Sequence, residues 1–147
     1  MNFERLQSIR EDHDLKQIDI ANVLSVKQVN ISNWERSKEV IPLNKLNKLS
    51  NYYNVSLDYL SGLSNNQNAV KLCDLNSKKV GNNLRNFRLE KKMTQVELAS
   101  FLNTTHSTIS AYESGKTLIL TSFAYQICKK YNISLDWLCG KSEKKYL

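Results

Sequence analysis

An all-α fold of two small tandem domains is what this sequence predicts. Three observations carry it: a gapless internal repeat, helical spacing of the apolar residues in each copy, and no segment that reads convincingly as a β-strand. At an offset of 78 residues, 6–62 falls on 84–140. Leu6 then matches Leu84, Arg10 Arg88, Gln17 Gln95, Ala21 Ala99, Leu24 Leu102, Ile31 Ile109, Ser32 Ser110 and Glu35 Glu113, and NxSLDxLxG recurs whole at 54–62 and 132–140. Two copies are too few for a solenoid, whose units share a continuous core from about three repeats upward, so each copy is expected to be self-contained. The expected division is a first domain at 1–62, a polar linker at 63–79, a second domain at 80–141 and a basic tail at 142–147.

Each helix has its own signal. Phe3, Leu6 and Ile9 recur every three residues; Ile18, Ala21 and Leu24 do so next, with Ile20 adding a second apolar row, and Val96, Ala99 and Leu102 repeat the pattern in the second copy. Thr94 followed by Glu97 is a capping-box signature, in which each side chain satisfies a backbone N–H that the helix start leaves free; Lys16 and Asp19 make a weaker version. A short third helix follows. In the second copy Thr104 or Thr105 caps a run from His106 to Glu113, and Ser114-Gly115 ends it, because glycine tolerates the left-handed turn beyond a helix. In the first copy Lys27 stands at the cap and Ser37 replaces the glycine, so this helix is less well specified locally. Leu43, Leu46, Leu49 and Tyr53, and later Ile127 and Tyr131, supply the helices that close each core.

The formal net charge is +7, from 21 Lys and Arg against 14 Asp and Glu, which suits a polyanionic partner. Residues 1–62 carry eight basic and eight acidic side chains, whereas 80–147 carry ten and five, so the copies are electrostatically unequal. Cys73, Cys128 and Cys139 are odd in number and share no metal-ligand spacing with each other or with His13 and His106; neither a disulfide framework nor a zinc site is expected. Neither a membrane span nor a signal peptide is expected, and the expected location is the cytoplasm. With no P-loop, nucleophile motif, paired catalytic carboxylates or metal cluster, the sequence predicts neither an enzyme nor a cofactor.

Two short helices meeting across Leu24-Ser25-Val26, or Leu102-Asn103-Thr104, have the proportions of a helix-turn-helix. The second copy resembles the lambda-repressor-like (Cro/CI, XRE) family through Met93-Thr94-Gln95-Val96-Glu97-Leu98-Ala99 and Ser107-Thr108-Ile109-Ser110-Ala111-Tyr112-Glu113-Ser114-Gly115-Lys116. The first copy offers Gln17-Ile18-Asp19-Ile20-Ala21 and Asn30-Ile31-Ser32-Asn33-Trp34-Glu35, and both close in SLDxLxG. The resemblance implies two five-helix domains, each laying its third helix in the major groove of duplex DNA. Carried over by position, the base-facing residues are Gln28, Val29 and Asn33, flanked by Lys27 and Asn30, and His106, Ser107 and Ala111, flanked by Thr105 and Thr108. Gln and Asn can bond adenine N6 and N7 together, and Val29 or Ala111 can pack on a thymine methyl; the competing reading is an idle solvated helix edge. Gln17 and Gln95, at a helix start where free N–H groups attract anions, and Lys38 and Lys116, just past the third helix, are the implied phosphate contacts. Arg10 with Glu35 and Arg88 with Glu113 are the implied structural ion pairs, and Trp34 and Tyr112 should face the core.

The expected function is therefore sequence-specific binding of double-stranded DNA by a transcriptional regulator, a repressor of the phage or mobile-element type. A protein-interaction module, antitoxin or anti-repressor, that keeps the fold is the alternative, suggested by the zero net charge of the first copy, its lack of an ideal cap and the missing glycine after its third helix. Two domains could work as part of a homodimer or as a single-chain pseudo-dimer. Half-sites one turn apart are separated by about 34 Å, within reach of a linker that extends to about 55 Å.

Overall fold

The computed structural model describes residues 3–68 and 71–147; Met1 and Asn2 of the expected first domain, and Ala69 and Val70 of the expected linker, lie outside the described residues. Those described form two helical units. The first holds α1 (Glu4–Asp12), α2 (Gln17–Leu24), α3 (Gln28–Glu35), α4 (Leu43–Tyr53) and α5 (Leu57–Ser61). The second holds α6 (Ser77–Glu90), α7 (Gln95–Phe101), α8 (His106–Glu113), α9 (Thr121–Tyr131) and α10 (Leu135–Leu138). Among the described residues extended pairing is confined to one isolated bridge, Ile133 with Tyr146.

The core of the first unit is Phe3, Leu6, Ile9, Ile20, Ala21, Leu24, Ile31, Trp34, Leu46 and Leu49, and matched positions build the second. One expected row is corrected. Ile18 and Val96 are exposed, because α2 and α7 begin at Gln17 and Gln95 and turn Ile20-Ala21-Leu24 and Leu98-Ala99-Leu102 inward instead. The turns behave as their residues require: Ser25 and Asn103 both take φ of 54°, and Ser37 takes 55° where Gly115 takes 78°. Serine thus holds a left-handed position that costs glycine nothing.

Capping is partial in both units. Thr94 Oγ1 accepts from the Glu97 N–H at 3.1 Å, whereas in the first unit the Lys16 N–H donates to Asp19 Oδ2 at 2.8 Å. Thr105 Oγ1 accepts from the Thr108 N–H, and the Lys27 N–H donates to Asn30 Oδ1, so the lysine at the cap of α3 is compensated from inside the helix.

Helix α6 starts at Ser77, inside the stretch expected as linker, because Asn76 Oδ1 accepts from the N–H groups of Lys78 and Lys79. It packs on α8 through Gly81, where a Cβ would stand 2.3 Å from the Tyr112 carbonyl oxygen and 2.7 Å from that of Glu113. The tail is held down. Lys145 pairs with Glu90 and lies over the Trp137 ring, and the Ser134 N–H donates to the Lys145 carbonyl.

The two units expected from the repeat meet at their SLDxLxG segments. The Leu57 N–H donates to Asp136 Oδ1 and the Asp58 N–H to Asp136 Oδ2, both at 2.9 Å; in return Asp58 accepts from the Leu135 N–H at 2.5 Å and the Ser134 hydroxyl at 2.6 Å. Each unit caps the closing helix of the other. The donors and acceptors are buried, so separating the units would leave backbone N–H groups of both helix starts without these partners.

Candidate functional site

The features singled out by sequence converge on the leading ends of α3 and α8. Lys27, Gln28 and Val29 are exposed, Val29 by 57%, a large apolar side chain turned toward solvent; Asn30 and Asn33 are half-buried. In the second unit Thr105, His106 and Ser107 are exposed, and Thr108 and Ala111 half-buried. Three flanking residues have local work. Asn30 caps the start of α3, and the Thr105 and Thr108 hydroxyls bond each other at 2.9 Å at the start of α8. That leaves Gln28, Val29 and Asn33, and His106, Ser107 and Ala111, as the more available edges.

Behind each edge lies the same polar lock. Arg10 donates through Nε to Glu35 Oε1 at 2.6 Å and through Nη2 to Oε2 at 3.0 Å, while its Nη1 reaches the Leu15 carbonyl at 2.8 Å. Arg88 grips Glu113 in the same bidentate way and bonds the Met93 carbonyl at 2.9 Å. All four side chains are buried, and the Glu35 carboxylate holds the Arg10 guanidinium above its ordinary pKa. The bridge ties the first helix to the end of the third and carries the chain turn before the second, so α3 and α8 are fixed relative to their supports.

Gln17 and Gln95 join this lock. The side-chain amide of Gln17 donates to Glu35 Oε2 at 3.0 Å, and that of Gln95 to Glu113 Oε2. One amide N–H is thereby committed, while the second and the free backbone N–H groups of the helix start remain for an anion. Gln28 leans toward Gln17, Nε2 to Oε1 at 3.5 Å. Lys38 and Lys116 are exposed, each with its backbone N–H held by the third helix, at Asn33 and Ala111.

Two cations escaped sequence reasoning because the repeat does not match them. Arg85, on α6, lines a cleft with Gln95, Ser110 and Ser114. In the first unit Gln7 stands at the matched position, and the cation is Arg36, whose Nη2 donates to Ser32 Oγ at 2.8 Å. The signal available was the exchange itself: each copy has an arginine at one of these two matched positions and not at the other.

Other features have structural explanations. Cys128 and Cys139 are buried and their thiol pKa values are raised by that burial; Cys73 is half-buried, and all three are free thiols. Among the described residues no cluster of three or more His, Cys, Asp or Glu is placed to hold a metal, and no helix is long and apolar enough to cross a membrane.

Comparison with known proteins agrees with this geometry. A helix-turn-helix family model matches the chain twice, at residues 6–60 and 84–138. Antitoxin PezA of Streptococcus pneumoniae serotype 4 is 28% identical over 64 residues, covering 44% of this chain and 40% of that protein. The HTH-type transcriptional regulator ImmR of Bacillus subtilis is 41% identical over 59 residues, covering 40% of this chain and 46% of that protein. The chain therefore spans less than half the length of either relative.

Proposed function

Since the chain belongs to the lambda-repressor-like helix-turn-helix family, we propose that it is a sequence-specific double-stranded DNA-binding transcriptional regulator, a cytoplasmic repressor of the phage or mobile-element type. It works without catalysis or cofactor. The observation that carries this reading is the pair of exposed leading edges, Gln28, Val29 and Asn33 on α3 and His106, Ser107 and Ala111 on α8, each braced by a buried bidentate ion pair. Rigid presentation matters because base readout needs donors and acceptors in register with base edges. Exposed Lys38, Lys116, Arg36 and Arg85 beside those edges supply sequence-independent attraction to phosphates.

The test is selection of bound sequences from random duplex DNA by the full chain at fixed salt. Gln28→Ala or His106→Ala should each cost about 1–3 kcal/mol on the selected site and relax one position, whereas Lys116→Ala should weaken all sequences alike and reduce the salt slope by about one unit. An equal loss on every duplex for the first two would remove their assignment as base readers.

A second reading, a protein-interaction module of the antitoxin type, draws support from the likeness to PezA and from the balanced charge of the first unit. It parts from the first on salt: duplex affinity without salt dependence favours it, since phosphate neutralisation must release counterions.

A further inference from the structure

We propose that this chain is a built-in pseudo-dimer that binds as a monomer to two non-identical half-sites, inverted and at one fixed separation, with the geometry set by a buried interdomain clasp of Asp58, Asp136 and Lys141. The inference rests on the DNA-binding reading above and specifies how its two edges are used.

Orientation follows from reciprocity. Shifted by 78, Leu57 becomes Leu135 and Asp58 becomes Asp136. The bond from the Leu57 N–H to Asp136 and the bond from the Leu135 N–H to Asp58 are thus one contact made in both directions. Contacts of that kind arise across a two-fold axis; units related by translation would present unlike surfaces to each other. A groove on the seam repeats the pattern, being lined by Ile41 and Pro42 of the first unit and by the matched Ile119 and Leu120 of the second. These residues sit in the loops that follow α3 and α8, so the same two-fold relates the reading helices. Duplex half-sites matched to such a pair run in opposite directions, as operator symmetry mirrors protein symmetry.

Rigidity follows from bolts that the symmetry does not require. Lys141 is 4% exposed, and its Nζ donates to Asn47 Oδ1 at 2.7 Å, Ser50 Oγ at 2.8 Å and Asn51 Oδ1 at 3.0 Å, all in the first unit. All three ammonium protons can be satisfied there. The matched residue is Leu63, so the first unit offers no such reach in return. The side-chain amides of Asn47 and Asn51 hold the Cys73 carbonyl of the connecting segment at 2.8 and 3.1 Å, and Thr121 Oγ1 donates to the Ile41 carbonyl at 2.6 Å. Directional buried bonds select one arrangement, where an apolar seam would tolerate sliding. The connection is consequently anchored on α4 at Cys73, which shortens any free tether below the full segment's root-mean-square span of about 23 Å. Non-identity follows from the edges, amide-rich in α3 and small or imidazole-bearing in α8.

The experiment uses the full chain and duplexes carrying its two selected half-sites, read by fluorescence anisotropy at fixed salt with stoichiometry from sedimentation. One chain per duplex is expected. Inserting two base pairs turns and displaces one half-site by about a fifth of a helical turn, and it should weaken binding at least about tenfold; reversing one half-site into a direct repeat should do the same. Lys141→Leu, which places the Leu63 side chain type at the matched position, should reduce the insertion penalty below about threefold with the affinity for an isolated half-site unchanged. Asp136→Asn, read the same way, serves if that variant does not fold. Equal affinity for inverted and direct arrangements, a flat spacing profile for the wild type, or two chains per duplex would overturn the inference with DNA reading intact. Failure to bind either half-site would instead remove the DNA reading itself, and this inference with it.

Discussion

Replacing Gly81 by Ala tests how α8 is seated. In an ordinary helix interior this change stabilises by about 1 kcal/mol, since glycine loses more backbone entropy on folding. Here the added Cβ would lie 2.3 Å from the Tyr112 carbonyl oxygen and 2.7 Å from that of Glu113. Both atoms are backbone of the last turn of α8 and cannot rotate away. Reaching even a 3.0 Å contact requires α6 and α8 to part by 3.0 − 2.3, or 0.7 Å, at that point. Overpacking of this kind costs about 1–3 kcal/mol, and with two carbonyls met at once the upper end applies, leaving a net loss of about 2 kcal/mol after the helix-propensity gain. Urea unfolding with linear extrapolation reads the change, provided the slope stays constant. Gly62→Ala is the control: nothing lies within 4 Å of its Cβ, so only its φ of +83° is strained, at about 1–2 kcal/mol. Because Glu113 belongs to the displaced turn, Gly81→Ala should also weaken binding to the half-site of the second unit more than to that of the first. A Gly81→Ala protein as stable as the wild type, or more so, would refute the close approach.

Three further outcomes follow from buried groups. Arg88→Met leaves the Glu113 carboxylate buried without its cation and should cost about 3–5 kcal/mol, while the double variant Arg88→Met, Glu113→Met should cost less than that single change; a larger loss for the double would argue that the pair itself stabilises the fold. Tyr53 carries the buried side-chain oxygen that lacks a hydrogen-bond partner among the described residues, so Tyr53→Phe should raise unfolding stability by about 1 kcal/mol, and a loss on calorimetry would show the hydroxyl to be engaged. Burial, with the Asp136 charge beside it, pushes the Asp58 carboxyl from its ordinary 3.8 up to about 7. The folded chain therefore holds a proton that the unfolded chain releases, and the associated stability is full below the ordinary carboxylate range and lost as pH rises through about 7. Wild-type stability measured against Asp58→Asn should fall between pH 4 and pH 8, and a constant or rising difference would contradict the coupled pair.

The sequence by itself determined the all-α class, the duplication and the two helix-turn-helix segments. Those properties are local or periodic: Leu6 and Ile9 recur on one helical face, Thr104 or Thr105 stands where a capping hydroxyl precedes α8, and Gly115 marks its left-handed exit. It was less reliable where periodicity has two rows, as with Ile18, exposed because the helix start sets the phase. The exchange of arginines between matched positions hints at Arg85 and Arg36, yet only helix packing brings Arg85 beside Gln95, Ser110 and Ser114, whereas Arg36 meets Ser32 within one turn of its own helix.

What only the tertiary structure decided is the relation between the copies. Asp58 and Asp136 lie in the first turns of α5 and α10 and Lys141 follows Gly140, and nothing local marks them as partners. Asp58 and Asp136 each serve the other's helix and Lys141 reaches back to Asn47, at separations of 76 to 94 residues that no helical periodicity registers. Helical spacing encodes which face of a helix is buried; it carries no information on whether a copy of the same fold, or water, completes the bonds at that helix's end.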